Sequence, residues 1–124
     1  MFSVLLASLN VMVTVDPGSV NILDIAPYNT FTLMCTATVP SNVTGAKSFE
    51  WRKSASSSDA YEMLVPNEDI TVINLNVENT TSGSILVARQ NVSGSFSYVC
   101  TSTVAAGFGT ASSTVVATGA SINQ

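Results

Sequence analysis

The sequence predicts an all-β domain, a sandwich or barrel of about eight or nine short strands. Three observations carry that prediction. Apolar and polar residues alternate with period two along most of the chain, the pattern of strands with one buried face. Clusters of Pro, Gly, Asn, Asp and Ser interrupt the alternation about every 8–12 residues. No segment repeats its apolar residues at helical spacing.

The apolar run Met1 to Leu9 is too short to span a membrane, which takes about 20 residues. It lacks the positive start of a signal peptide, although it could be the truncated core of one. We read residues 1–10 as an N-terminal extension or linker, either a strand or the tail of a preceding domain. Val11, Val13 and Val15 then alternate, and Asp16-Pro17-Gly18-Ser19 reads as a turn. A short strand is expected over Val20 to Ile25, ended by Pro27-Tyr28-Asn29. Phe31, Leu33, Cys35, Ala37 and Val39 form one inward set, with Thr and Met between them. Pro40 to Ser48 is a polar loop.

Phe49 and Trp51 point one way on the next strand, with Glu50 and Arg52 on its other face. Lys53 to Ala60, rich in serine, is expected as a loop, and Tyr61 to Val65 as a short strand before Pro66-Asn67-Glu68-Asp69. Ile70 to Val77 reads as a longer strand, Glu78 to Gly83 as a polar turn, and Ser84 to Arg89 as a strand. After a turn at Asn91 to Gly94, the residues Phe96, Tyr98, Cys100, Ser102 and Val104 face inward. Ala105 to Gly109 is expected as a hairpin loop and Thr110 to Thr118 as the last strand. The domain thus runs over residues 11–118, and 119–124 reads as a C-terminal tail or linker.

Composition narrows the function. The 124 residues suit one domain with a substantial core. Charged residues make up 10 %, and the net charge of −4 offers no electrostatic grip on nucleic acid. The 46 % hydrophobic content excludes disorder. Histidine is absent, which removes His-dependent triads and most zinc sites.

Cys35 and Cys100 lie far apart, with neither metal-site nor Cys-x-x-Cys spacing. One long-range disulfide is the simplest reading; two buried thiols in a cytosolic protein is the other. Three sequons, at Asn42, Asn79 and Asn91, fall in expected loops and are candidate glycosylation sites. Sugars there would help so weakly charged a domain stay soluble. They favour the oxidising, extracellular side.

Cys35 in Phe-Thr-Leu-Met-Cys-Thr-Ala, Trp51 in Phe-Glu-Trp-Arg-Lys, and Cys100 in Phe-Ser-Tyr-Val-Cys together resemble an immunoglobulin superfamily domain. The resemblance covers about residues 11 to 118. It implies an immunoglobulin-like β-sandwich of two antiparallel sheets with Greek-key connections, the cysteines bridged between facing sheets and Trp51 packed on the bridge. Tyr98, two residues before Cys100, matches the family's tyrosine corner, whose hydroxyl reaches backbone upstream. Two departures stand out. Gly94 and Phe96 occupy positions where the family often carries Asp and a small residue, so the usual corner salt bridge is not expected. The gap from Cys35 to Trp51 also implies an enlarged loop.

No enzyme is expected. The serines have no evident base, and Glu68-Asp69, adjacent in a turn, point apart rather than forming a dyad. No metal site and no cofactor are indicated. Two surfaces are open to a partner. One is the loop end carrying Asn42, Asn79 and Phe108, which glycans would shield. The other is the outward face of the sheet bearing Trp51 and Cys100, with candidate contact residues Glu50, Arg52, Tyr61, Met63, Val99 and Thr101. The resemblance implies a recognition or adhesion module in an extracellular protein or a receptor ectodomain, binding a protein partner or a second copy of itself. Neighbouring domains of a longer parent chain are expected, without membrane insertion by this segment. A spacer domain in a tandem array is one alternative; a microbial or viral adhesin sandwich is another.

Overall fold

The computed structural model describes residues 11–22, 30–40, 46–55, 60–90, 94–104 and 107–117. The sequons at Asn42 and Asn91, the extension 1–10 and the tail 119–124 lie outside the described residues. Nine strands are described: β1 Met12–Asp16, β2 Ser19–Ile22, β3 Thr30–Thr38, β4 Ser48–Ala55, β5 Glu62–Met63, β6 Ile70–Leu75, β7 Thr81–Arg89, β8 Gly94–Val104 and β9 Gly107–Ala117. They form two sheets, ordered β1-β3-β7-β6 and β2-β9-β8-β4-β5. Every neighbouring pair is antiparallel except β2 with β9. The chain changes sheet at Asp16 to Ser19, where Thr114 N–H donates to the Gly18 carbonyl at 3.1 Å. This is an immunoglobulin-like sandwich.

Period two explains the core. Phe31, Leu33, Cys35, Ala37 and Val39 are all buried on one side of β3 and its extension. Tyr98, Cys100, Ser102 and Val104 answer them from β8, while Phe96 is half-buried. Cys35 and Cys100 are joined, with Cα atoms 6.4 Å apart and 65 positions between them. On the chain-entropy account, a loop of that length gives roughly 4 kcal/mol of stabilisation.

Trp51 lies directly across from Cys100 on β4, and Ser84 directly across from Cys35 on β7. The indole Nε1–H donates to the Ser84 hydroxyl at 2.9 Å, a second tie between the sheets beside the disulfide. Phe31 meets the Tyr98 ring edge-on with centroids 5.1 Å apart. Tyr98 O–H donates to Gln90 Oε1 at 2.8 Å, a side chain rather than the backbone expected from the family pattern.

A third tie closes one end. Lys47, only 4 % exposed, donates from Nζ to Ser82 Oγ at 2.9 Å and to the Asn79 carbonyl. Its own N–H donates to the Val77 carbonyl at 2.9 Å, so the residues before β4 clamp the β6–β7 turn. Burial pushes the Lys47 ammonium below its ordinary pKa.

Several boundaries differ from expectation. Lys53 to Ala55 belong to β4, not to a loop, because they pair with Tyr98 to Phe96. The Lys53 ammonium lies over the Phe96 and Tyr98 rings, at 5.3 and 5.9 Å from their centroids. The expected strand over Tyr61 to Val65 shrinks to Glu62–Met63. Asn76, with φ of 54°, ends β6 before Val77. β7 begins at Thr81, where the Thr38 and Thr81 hydroxyls meet at 3.3 Å, so part of the expected turn is strand. Gly107 to Gly109 are strand too, paired with Val104 to Ser102.

Candidate binding face

The outward face of β9-β8-β4-β5 gathers most of the candidate contact residues. On β4, Glu50 and Arg52 project from the side opposite Trp51. Their cross-strand partners on β8 are Thr101 and Val99. Glu50 and Arg52 form an ion pair of 2.9 Å, with both side chains partly in solvent. In such a position the pair contributes little to stability, on the order of 1 kcal/mol or less.

Around Arg52 lies an open concavity of about 370 Å³, lined by Arg52, Tyr61, Val99, Thr101, Phe108 and Thr110. Two aromatic rings stand at its rim, Phe108 at 65 % exposure and Tyr61 at 48 %. Four of the expected face residues, Arg52, Tyr61, Val99 and Thr101, are therefore together at one depression. Glu50 adjoins it through the ion pair. Met63 does not line it. Although paired with Arg52, it opens onto a different groove of about 280 Å³, between the sheets beside Phe49, Trp51, Leu64 and Val72.

Phe108 and Thr110 were not among the expected contacts. The signal was present in the sequence: Ala111, Ser113, Val115 and Ala117 face the core, so Phe108, Thr110 and Ser112 of opposite parity face out. The run of Gly and Ala around Phe108 masked it by resembling a loop.

At the other end of the sandwich, Arg89 pairs with Asp69 at 3.7 Å and its N–H donates to the Asp69 carbonyl at 3.1 Å. This ion pair joins strand β7 to the turn before β6. Asn79 is exposed on the β6–β7 turn. Among the described residues, no cluster of three or more His, Cys, Asp or Glu side chains could hold a metal ion. No helix there is long and apolar enough to cross a membrane.

No protein-family model matches the chain, and no curated protein matches it in sequence. Solved structures do match its fold. A structure of the titin kinase and its flanking domains superposes with a TM-score of 0.58 at 10 % identity, covering 90 % of this chain and 17 % of that one. A structure addressing Dscam isoform specificity gives a TM-score of 0.54 at 16 % identity, covering 87 % of this chain and 24 % of that one. The chain thus spans about a fifth of the length of these neighbours. The likeness is one of fold.

Proposed function

We propose, from the immunoglobulin-like sandwich as premise, that this chain is a non-enzymatic protein-binding module of an extracellular or cell-surface protein, acting in adhesion or receptor recognition. The observation that carries this reading is the concavity around Arg52, rimmed by exposed Phe108 and Tyr61. Arg and aromatic side chains are the types that dominate binding energy at protein interfaces. A partner suited to it presents an apolar side chain to the floor formed by Val99 and Thr101, and a carboxylate within reach of Arg52. The disulfide supports an oxidising compartment. With that compartment, Asn79, exposed on the β6–β7 turn, is a candidate to carry a glycan.

The test is binding of the soluble, multivalent chain to a panel of intact cells. Arg52→Glu and Phe108→Glu should each lower binding about tenfold or more, as loss of a central contact does. Thr36→Glu, on the opposite sheet, should leave it unchanged. A spacer domain would bind no cell, and binding indifferent to Arg52 and Phe108 would contradict the assignment of the face.

A further inference from the structure

The edges of the sandwich are not alike. β1 ends at Asp16-Pro17, and its N-terminal approach is pressed against Gly109 of β9. β2 has four residues, and β5 has two, including Glu62. These are the ordinary ways in which an edge strand is blunted. β6 has six residues, and from Ile70 to Val77 there is no charge, proline or glycine; Asn67 covers only its first residue, and Pro66 shares a groove with Val72 and Asn74 without bonding to them.

Its backbone has a defined open side. Ile70 exchanges both bonds with Asn67, at 3.0 and 3.3 Å, across the edge away from β7. The Asp69 carbonyl, one residue earlier, accepts from Arg89 of β7. Successive residues alternate in this way. Val72 and Asn74 therefore turn their N–H and C=O groups to the open edge, whereas Thr71, Ile73 and Leu75 bond to Val87, Ile85 and Gly83. The outward side chains continue the pattern. Met34, Ile85 and Ile73 are directly adjacent across β3, β7 and β6, an apolar row ending at the open edge with Ile73 45 % exposed.

We propose that β6 is a self-association edge, pairing antiparallel with β6 of a second copy of this chain. One register satisfies every free group. Val72 pairs with Asn74 of the second copy and Asn74 with its Val72, each pair exchanging two hydrogen bonds. The two Ile73 residues then face each other as the central non-hydrogen-bonded pair. The two apolar rows join into one across a two-fold axis, so the contact closes at two copies. The paired segment carries no charge, so a chain of net charge −4 can meet itself there. With six strand residues a side, the contact is well below the roughly 20–30 of a standard interface, and the dimer is weak and concentration-dependent. Two copies of net charge −4 repel each other, so association strengthens as salt screens that repulsion.

The test is sedimentation of the full chain from roughly 10 μM to 1 mM, a range that brackets weak association. A monomer–dimer equilibrium is expected, tighter in moderate salt than in low salt. Asn74→Pro removes an edge N–H that β7 does not use and should weaken dimerisation about 30-fold, the loss of two backbone hydrogen bonds per dimer. Ile73→Lys, which sets two like charges face to face, should also weaken it, and tests the proposal even if the proline variant misfolds. Phe108→Glu, on the other sheet, should leave it unchanged, which separates this contact from the partner-binding face. A chain that stays monomeric throughout, a dimer indifferent to both β6 variants, one abolished by Phe108→Glu, or one weakened by salt would overturn the proposal.

Discussion

Trp51 and Ser84 sit on opposite sheets, each the cross-strand neighbour of one disulfide cysteine, and the indole N–H of the first donates to the hydroxyl of the second at 2.9 Å. Both side chains are buried. A buried indole N–H has no water to fall back on. Ser84→Ala therefore leaves a donor unsatisfied and should destabilise the domain by about 1–3 kcal/mol in denaturant unfolding. An unchanged midpoint would mean that the bond contributes nothing.

Ser102 and Ser113 give the opposite expectation. Their Oγ atoms are buried with no hydrogen-bond partner among the described residues. Replacing each by alanine removes a desolvated hydroxyl and almost no volume. Ser113→Ala and Ser102→Ala should leave thermal stability unchanged or raised. A loss as large as that of Ser84→Ala would reveal a partner for the hydroxyl.

Alkaline pH tests Tyr98. Burial pushes its phenol above the usual value of 10.0. An unfolded tyrosine releases its proton near that value while the folded one keeps it, so above it the native state binds more protons than the unfolded state. The stability that Tyr98 confers is complete below about pH 10 and falls as pH rises through the folded pKa. Lys47 acts with the opposite sign, because its folded pKa lies below its unfolded one, and its penalty is relieved with rising pH. Tyr98→Phe should cost about 1 kcal/mol at neutral pH and progressively less in unfolding measurements above pH 10. A constant difference between the proteins across that range would contradict the assignment.

Gly109 lets β1 lie close over β9. A Cβ there would run into the backbone carbonyl of Val11 and come within 2.9 Å of Val13 Cγ2. Backbone cannot rotate away as a side chain does, so Gly109→Ala should cost more than about 1 kcal/mol by displacing β1. At Gly18 an added Cβ meets nothing within 4 Å. Gly18→Ala should be close to neutral in the same thermal melt.

Much of this architecture was legible in the sequence. The alternation around Cys35 and Cys100 turned each cysteine inward on its strand, because period two leaves little freedom once one residue is fixed inward, and the family resemblance implied that the two strands face each other. Trp51 and Tyr98 followed from the same parity. Elements without a strong apolar alternation were harder to bound. Serine-rich Lys53 to Ala55 and glycine-rich Gly107 to Gly109 read as loops, yet long partner strands hold them in register. Lys47 was invisible as a core residue, since a lysine in a polar loop gives no sign of the carbonyl and hydroxyl that receive its ammonium. The concavity around Arg52 was half legible. Its β4 and β8 members follow from parity, and Phe108 appears only once Gly107 to Gly109 are known to pair with Val104 to Ser102.

The most direct test of the account is a thiol titration on protein from its native compartment, fully unfolded without reductant. Cys35 and Cys100 bonded across the two sheets give no titratable thiol, and two after reduction. Two thiols before reduction would break the tie between the sheets and remove the ground for an extracellular role.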